Sequence, residues 1–394
     1  MAIDLLRCGN VTVDVVMREG VRFLALSILS LVIVILVGSS SLTVWFDRVA
    51  YDVLNQYYAS VNYAASDVVL IDIDQASIDR FSGWPFDRSV HARAIDALNS
   101  ADVSSITYNV AFVGARGTLG AGDEQLMDAI KRSGRVVLPL IAENNQELKP
   151  LDKPELPGAI LGHADLSLDE DAHLRRHYLY AGLGFPRWPS LSLASLYIYA
   201  PVKADDFSGL RTPYLHVGFS KLWSRDYELL LPFGLASFSD RVLRYPLWAL
   251  LEGKIPVERI RNKAVFVGLN APTVEDRLQV SSTDAFFSTE VHAFLFSTLN
   301  RGYTLSPSLS VWAVTLGVLA TLCWSMVLAR LPLDLRLLGL SMLLLLLSVP
   351  VWLLSFGYWL SIMPMLAGIS SMSVILMFGR VLDFCVGIKK PQIN

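Results

Sequence analysis

The sequence is poor in cysteine and in charged side chains. It has three cysteines among 394 residues, and none lies between Cys8 and Cys323. Disulfide bonds are therefore excluded from that long interval, which must be stabilised by a hydrophobic core. Charged residues make up 18% of the chain and hydrophobic residues 53%, which is typical of a membrane protein. The net charge is only -3 and basic runs are absent, so no nucleic acid partner is expected.

Charge is missing above all from three long stretches, and these predict membrane spans. A helix needs about 20 apolar residues to cross a hydrocarbon core about 30 Å thick. The first stretch predicts transmembrane helix 1 at 23–44, and the second predicts helix 2 at 307–329. The third is too long for one crossing and predicts helices 3 and 4 at 337–356 and 359–380. Membrane lipid is therefore an expected partner.

The first stretch has an alternative interpretation as a cleaved signal peptide. Small residues at 38–41 resemble those near a cleavage site. The stretch is, however, longer than a usual signal h-region, and the segment before it is long as well. A retained span is the interpretation that the sequence favours.

Basic residues near the span ends predict the orientation. Those on one predicted side are Arg7, Arg18, Arg22, Arg330, Arg336, Arg380, Lys389 and Lys390. Because lysine and arginine tend to stay in the cytoplasm, the tails 1–22 and 381–394 are both predicted to be cytoplasmic. Residues 45–301 are then expected to form one extracytoplasmic domain.

The pattern within 45–301 predicts an α/β fold with a mixed or parallel sheet, because short apolar runs alternate with amphipathic segments. The first elements are strand 68–73, helix 89–98, strand 105–112, helix 123–132 and strand 135–141. A proline-rich middle contains a helix at 191–199. Later elements are helix 247–251, strand 264–269 and helix 289–300.

Two aspartates at the end of the first predicted strand are candidate ligand-binding residues. Asp72 and Asp74 are two positions apart and therefore project to the same face. Open α/β sheets bind ligands at the carboxyl ends of their strands. Capping of the following helix is the alternative role. Arg88 can bond loop carbonyls or an acidic partner such as Asp74, and His91 is placed to reach the same edge or to be a structural histidine.

A metal pair is considered at His173 and His177, which have the four-residue spacing of a helical site. The residues between them lack the glutamate of a zinc hydrolase. The sequence predicts no metal and no cofactor.

Several motifs, in this order, resemble a known family. They are Ile71-Asp72-Ile73-Asp74, Gly83-Trp84-Pro85-Phe86 with Arg88 and His91, Asp123 with Leu126, Val265-Phe266-Val267-Gly268-Leu269, Asp276, and Glu290-Val291-His292-Ala293. A chain with these motifs in this order resembles the type-two CHASE domain, which is a sensory extracytoplasmic domain associated with bacterial cyclases and histidine kinases. This resemblance implies a multi-pass protein of the bacterial inner membrane with a periplasmic sensor domain.

The resemblance and the strand pattern together give two sets of candidate residues. The ligand-binding set is Asp72, Asp74, Arg88, His91, Asn109 and Asp123, and the coupling set is Asp276, Glu290 and His292. Asn109 departs from the family, which commonly has aspartate there. Family members usually carry a cytoplasmic output enzyme after the last span, whereas this sequence ends at Asn394.

The sequence therefore predicts a sensor or receptor subunit and not an enzyme. Its domain is expected to bind a ligand or an envelope partner, and its four spans to pass a conformational change to a separate protein. A homodimer or a hetero-complex with a signalling or envelope protein is expected. One alternative is a scaffold of an envelope complex. Another is a magnesium-dependent phosphohydrolase, suggested by Asp-x-Asp after an apolar strand, although Ala76 stands where that family has threonine or valine.

Overall fold

The computed structural model describes residues 25, 27–36, 40–58, 65–113, 120–143, 146–152, 156–205, 207, 222–281, 284–307, 310–328 and 333–385. The predicted tail 1–22, six residues of predicted helix 1 (23, 24, 26 and 37–39) and the end of the C-terminal tail from 386 lie outside these ranges. Contacts divide the chain into two units. Residues 53–305 form the larger unit, and 1–52 with 306–394 form the smaller one.

The chain begins with helices α1 (Ser27–Leu36) and α2 (Ser41–Tyr58). The strands that follow are β1 Val68–Asp74, β2 Ser105–Asn109, β3 Val136–Glu143, β4 Gln146–Leu148, β5 Ala159–His163, β6 Arg176–Leu183, β7 Trp188–Pro189, β8 Trp223–Leu230, β9 Leu243–Pro246, β10 Ala264–Asn270, β11 Leu278–Gln279 and β12 Ala285–Phe286. The helices among them are α3 Gln75–Arg80, α4 Arg88–Ser100, α5 Ala121–Ser133, α6 Leu191–Tyr199, α7 Pro201–Asp205, α8 Leu235–Arg241, α9 Leu247–Leu251, α10 Val257–Ile260 and α11 Ser288–Asn300.

A seven-stranded sheet is the centre of the larger unit. Its strands are ordered β4-β3-β2-β10-β1-β9, and β5 also pairs with β3. Every pair is parallel except β3 with β4. The predicted α/β class is confirmed, and the sheet is mixed because of this one antiparallel pair. The five elements predicted over 68–141 are all present in their predicted order, but the short helix α3 follows β1 and the second strand ends at Asn109 instead of residue 112.

Local sequence explains where the first helices begin and end. Asp87 caps α4, since its Oδ1 accepts a hydrogen bond from the backbone N of Ser89 at 2.9 Å. Helix α5 ends at Gly134, whose φ of 64° is left-handed and suits glycine. These boundaries fix the helices that cover one face of the sheet.

Both faces of the sheet are buried, as expected for parallel strands. Alternate residues of β1 divide between two cores: Val69 and Ile71 pack with α4, α5 and α9, whereas Val68 and Leu70 pack with α6, α8 and α11. Each face thus carries its own helical layer. The antiparallel sheet β7-β6-β8 adds to the second core through Leu179 of β6 and other residues.

The smaller unit contains apolar helices. They are α12 Ser310–Leu328, α13 Leu333–Leu354 and α14 Met363–Cys385, with short strands β13 Ser306–Pro307 and β14 Tyr358–Trp359. Among the described residues, two helical segments are long and apolar enough to cross a membrane, Val311–Leu328 and Leu333–Leu354. Ser27–Leu36 and Met363–Ile375 are shorter apolar helices. The four-span arrangement stays a prediction.

Small and polar residues bring these helices together. A Cβ on Gly368 of α14 would lie 1.8 Å from Thr321 Oγ1 of α12, so the two backbones approach closely. The indole Nε1 of Trp324 donates to Ser373 Oγ at 2.8 Å. Ser30 of α1 and Ser371 of α14 bring their hydroxyl oxygens within 2.7 Å.

Candidate functional site

Three parallel strands, β1, β10 and β2, place polar residues at one edge of the sheet. In their register Asp72 lies beside Gly268, Asp74 beside Asn270, and Gly268 beside Asn109. Because all these strands run in the same direction, these residues gather at the carboxyl edge, where open α/β sheets bind ligands. The sequence prediction for Asp72 and Asp74 rested on this geometry, whereas Asn109 was selected from the family resemblance.

Asp72 and Asp74 have different surroundings although they project from the same face. Asp74 caps α3, accepting a hydrogen bond on Oδ1 from the backbone N of Ser77 at 2.9 Å. Asp72 accepts from Asn270 Nδ2 at 2.8 Å and lies 3.7 Å from Nε of Arg244. Burial raises the pKa of Asp72, against the opposing effects of Arg244 and Asn270. The capping role that the sequence left open therefore belongs to Asp74.

Arg244 of β9 joins the central sheet to α11 through Asp72 and Glu290, and these three residues form what we call the Arg244 junction. Its guanidinium bonds Glu290 as well as lying beside Asp72. Glu290 also accepts from Ser239 Oγ at 2.9 Å, and its Oε2 accepts from the backbone N of Phe287 at 2.9 Å. The Glu290 side chain is only 7% exposed. This buried carboxylate therefore connects β9 through Arg244, α8 through Ser239, and the start of α11 through Phe287.

Asn109 bonds the first turn of α11 from β2. Its Nδ2 donates to Ser288 Oγ at 2.6 Å and to Thr289 Oγ1 at 3.1 Å. Ser288 in turn donates to Glu275, whose pKa is raised mainly by burial. An amide can donate in this way whereas a carboxylate cannot, so asparagine suits the hydroxyls at this position.

Arg88, His91 and Asp123 form a second group on the opposite face of the sheet. Arg88 Nε lies 3.7 Å from Asp123, and its guanidinium is 4.9 Å from the centre of the Phe112 ring. Asp123 accepts from the backbone N of Gly120 at 3.1 Å and so stabilises the start of α5. The structure does not bring this group together with Asp72.

His91 is enclosed by aromatic rings. It is 1% exposed, and the ring centres around it lie 5.0 to 6.1 Å away, in Phe112, Tyr108, Phe86 and Trp84. Burial, with a smaller contribution from Arg88, lowers its pKa to about 4. It is a neutral core residue at ordinary pH.

The predicted coupling residues also separate. Glu290 belongs to the Arg244 junction, Asp276 is exposed in the loop after β10, and His292 is fully buried in α11. His173 and His177 are not a helical pair, because His177 lies in strand β6 and His173 precedes it. Among the described residues, no group of three His, Cys, Asp or Glu side chains could hold a metal ion.

Sequence reasoning missed three residues of this edge: Arg244, Asn270 and Glu275. An arginine between the apolar residues of a short strand was a usable signal for Arg244. Asn270 was visible only as the end of a strand, and Glu275 lies in a loop that no periodicity marks.

A family model described as CHASE2 domain matches residues 28–330, which is more than half of the chain. The chain belongs to the CHASE2 family. CHASE2 is a sensory extracytoplasmic domain, so the resemblance predicted from the motifs is confirmed. No curated protein and no solved structure matches the chain. The CHASE2 match includes both polar groups and the Arg244 junction.

Proposed function

We propose that this CHASE2 protein is a transmembrane sensor subunit. Its extracytoplasmic domain binds a ligand or an envelope partner and passes a displacement through four spans, with both termini in the cytoplasm. The output is a separate protein, in a homodimer or a hetero-complex with a signalling or envelope component. The proposed ligand is polar, because the edge formed by Asp72, Asn109, Asn270 and Glu275 offers hydrogen-bonding groups.

The Arg244 junction carries this proposal. In the chain, α1 and α2 precede strand β1, and α11 precedes α12, so the two sides of the junction lead to the apolar helix α1 before the domain and the apolar helix α12 after it. Arg244 is beside Asp72 of β1 and bonds Glu290 of α11. A ligand that draws Asp72 or Asn270 toward itself competes with this contact and changes the position of α11.

The first experiment tests coupling without a known ligand. Ser30→Cys and Ser371→Cys are introduced after Cys8, Cys323 and Cys385 are replaced by serine, and the disulfide yield is measured in membranes. Arg244→Gln is then added. We expect the yield to change several-fold, because the hydroxyl oxygens of Ser30 and Ser371 are 2.7 Å apart and small shifts alter this geometry.

Arg132→Gln is the matched control. It also removes an arginine from an ion pair, with Asp96, but on the opposite helical layer. Equal yields in all three proteins would contradict coupling and favour a scaffold. Affinity purification in mild detergent then identifies the partner, and a co-purifying kinase, cyclase or secretion component would define the output.

A further inference from the structure

Three histidines meet inside the domain, away from the polar edge. His163 ends β5, His177 lies in β6, and His292 lies in α11. Their exposed fractions are 0, 1 and 0%. The centre of the His177 ring is 6.4 Å from that of His163 and 6.4 Å from that of His292. One group of rings thus joins the edge of the main sheet, the second sheet and the last helix of the domain.

The nitrogens of this histidine cluster lack well-formed hydrogen bonds. Both ring nitrogens of His163, both of His177 and Nε2 of His292 have no partner at hydrogen-bonding geometry among the described residues. Nδ1 of His292 has one long contact, at 3.5 Å, with Ser192 Oγ, which donates a better bond to the backbone O of His292 at 2.9 Å. Buried polar atoms are nearly always bonded, so five such nitrogens in one place are exceptional.

Few charges surround the cluster. Asp165, after β5, is the acidic group that acts on His163 and His292. Its carboxylate is already bonded by Arg225 of β8 at 2.6 Å and by Trp223 Nε1 at 2.9 Å. Arg225 is also the cation that acts on His163, where it disfavours a second positive charge. Among the described residues, Asp165 is thus the carboxylate that acts on the cluster, and it is already paired with Arg225.

Within the described part of the chain, the other groups that act on the cluster are neutral side chains and backbone groups. The other groups that act on His177 are the two histidines themselves. Helix α6 contributes the hydroxyl of Ser192. Backbone groups at 178 and 179 favour the charged form of His163, and one at 164 favours that of His292, but burial outweighs both effects. A proton entering the cluster therefore finds little compensation in the packed state.

A metal ion does not explain the arrangement. The cluster is not a group that could hold a metal ion. Two rings bound to one zinc at about 2.0–2.1 Å from each nitrogen would bring their centres closer than these are. Protons remain as the ligand that imidazole nitrogens take up near neutral pH.

We propose that His163, His177 and His292 form a proton-operated switch, which is packed when neutral and separates when protonated, with α11 as the element that moves. The passage of this movement to the spans rests on the proposed function, whereas the proton response of the domain does not.

The direction follows from linkage. Burial lowers the pKa of His163 to about 4 and that of His292 to about 3, and it lowers the pKa of His177 well below its ordinary value. Once the rings separate into water, each pKa returns toward about 6.5. Below that pH, each histidine favours the separated state by up to about tenfold per pH unit, and three together by up to about a thousandfold. An extracytoplasmic domain is exposed to changes in the pH outside the cytoplasm.

Hydrogen exchange of the full chain in lipid nanodiscs tests the switch. Exchange of wild type is measured at about pH 7.5 and about pH 5.5 and corrected for the intrinsic pH dependence of amide exchange. We expect amides of β6 and α11 to lose protection at the lower pH. His177→Leu keeps a similar volume and removes one titrating ring. In this variant, the acid-induced loss of exchange protection should be smaller than in wild type by about tenfold per pH unit.

Two matched variants sharpen this test. His177→Gln also removes the charge and serves if His177→Leu does not fold, and His173→Gln replaces a histidine outside the cluster. We expect the first to weaken the acid response and the second to leave it unchanged. The proposal is overturned if wild type keeps its protection in β6 and α11 at acid pH, if the loss is confined to α4 around His91, or if His177→Leu and His177→Gln respond as wild type does. Zinc at micromolar concentration that restores protection at neutral pH would also overturn it, in favour of a metal site.

The disulfide yield of the Ser30→Cys, Ser371→Cys pair separates this inference from the proposed function. If exchange responds to pH while the yield of this pair does not, the proton switch stands and coupling to the spans fails. If the yield responds to Arg244→Gln while exchange ignores pH, coupling stands and the proton switch fails.

Discussion

A Cβ atom on Gly268 would stand only 1.9 Å from Oγ1 of Thr289. Strand β10 and helix α11 therefore meet at a point where no side chain fits, and the first turn of α11 lies directly on the sheet. This close approach brings Ser288 and Thr289 within reach of Asn109. The polar edge depends on a glycine because that residue has no side chain.

Gly268→Ala should lower the free energy of unfolding by about 3 kcal/mol, because the added methyl group overlaps Thr289 and displaces α11. Thermal and urea unfolding of the full chain in detergent measure the change. Gly120→Ala is the control, since its Cβ would lie 3.8 Å from Asp123 and only the weak helix-capping preference is lost. Adding Thr289→Ala should recover part of the loss, and a double variant as unstable as the single one would contradict this explanation.

Arg244→Met should lower the free energy of unfolding by about 1–3 kcal/mol, because the buried Glu290 carboxylate loses its cation. Urea unfolding followed by tryptophan fluorescence measures this change. Glu290→Gln in the same chain removes the uncompensated charge and should restore part of the stability. A double-variant cycle in which the two effects simply add would show that Arg244 and Glu290 do not interact.

His91 predicts a pH dependence on the other face of the sheet. Its pKa of about 4 in the folded domain is below the ordinary 6.5, so the unfolded chain binds more protons between these values. Its contribution to stability is full above about pH 6.5 and is lost as the pH falls toward 4, by at most about 1.4 kcal/mol per pH unit. His91→Phe should reduce the slope of stability against pH by this amount. Equal slopes in wild type and His91→Phe, with His173→Gln as the control, would refute the prediction.

Gly368→Val should separate α12 from α14, since Thr321 Oγ1 occupies the site of the new side chain. We expect a loss of about 1–3 kcal/mol in stability and a change in the fluorescence of Trp324, which bonds Ser373 of α14. Leu366→Val changes an exposed residue of α14 and is the control. Identical melting and fluorescence in both variants would mean that these helices do not pack through Gly368.

Much of the fold is predictable from sequence because its pattern is local. The strands at 68–74, 136–143 and 264–270 are apolar runs, and α4 and α5 carry apolar residues at helical spacing between capping residues. The β9 strand was missed, since a run of only four residues that ends in a proline gives little periodicity and its partner β1 is far away in sequence. Pairing of β6 with β8 was hidden for the same reason.

The candidate site was predictable only in part. The position of Asp72 follows from the end of an apolar strand, which sequence can locate, whereas Asn109 was singled out by the family resemblance and lies at a strand end only because β2 stops there and not at the predicted residue 112. The partners of these residues could not be predicted in this way, because Arg244, Asn270 and Glu275 lie in other segments of the chain. His173 and His177 have the spacing of a helical metal pair, which the sequence did not favour because the glutamate is missing. The structure shows that His177 lies in a strand, so the two residues do not share a helix face.

Immediately after Leu305, residues Ser306–Pro307 form a two-stranded parallel sheet with Tyr358–Trp359. Ser306 N donates to Gly357 O at 2.8 Å, and Ser306–Pro307 pairs with Tyr358–Trp359 in the bend between α13 and α14. The start of α12 is thus fastened to the hairpin that follows it. The segment that leads into α12 is therefore held by backbone hydrogen bonds to the turn between α13 and α14, so α12, α13 and α14 are joined at this end by more than side-chain packing.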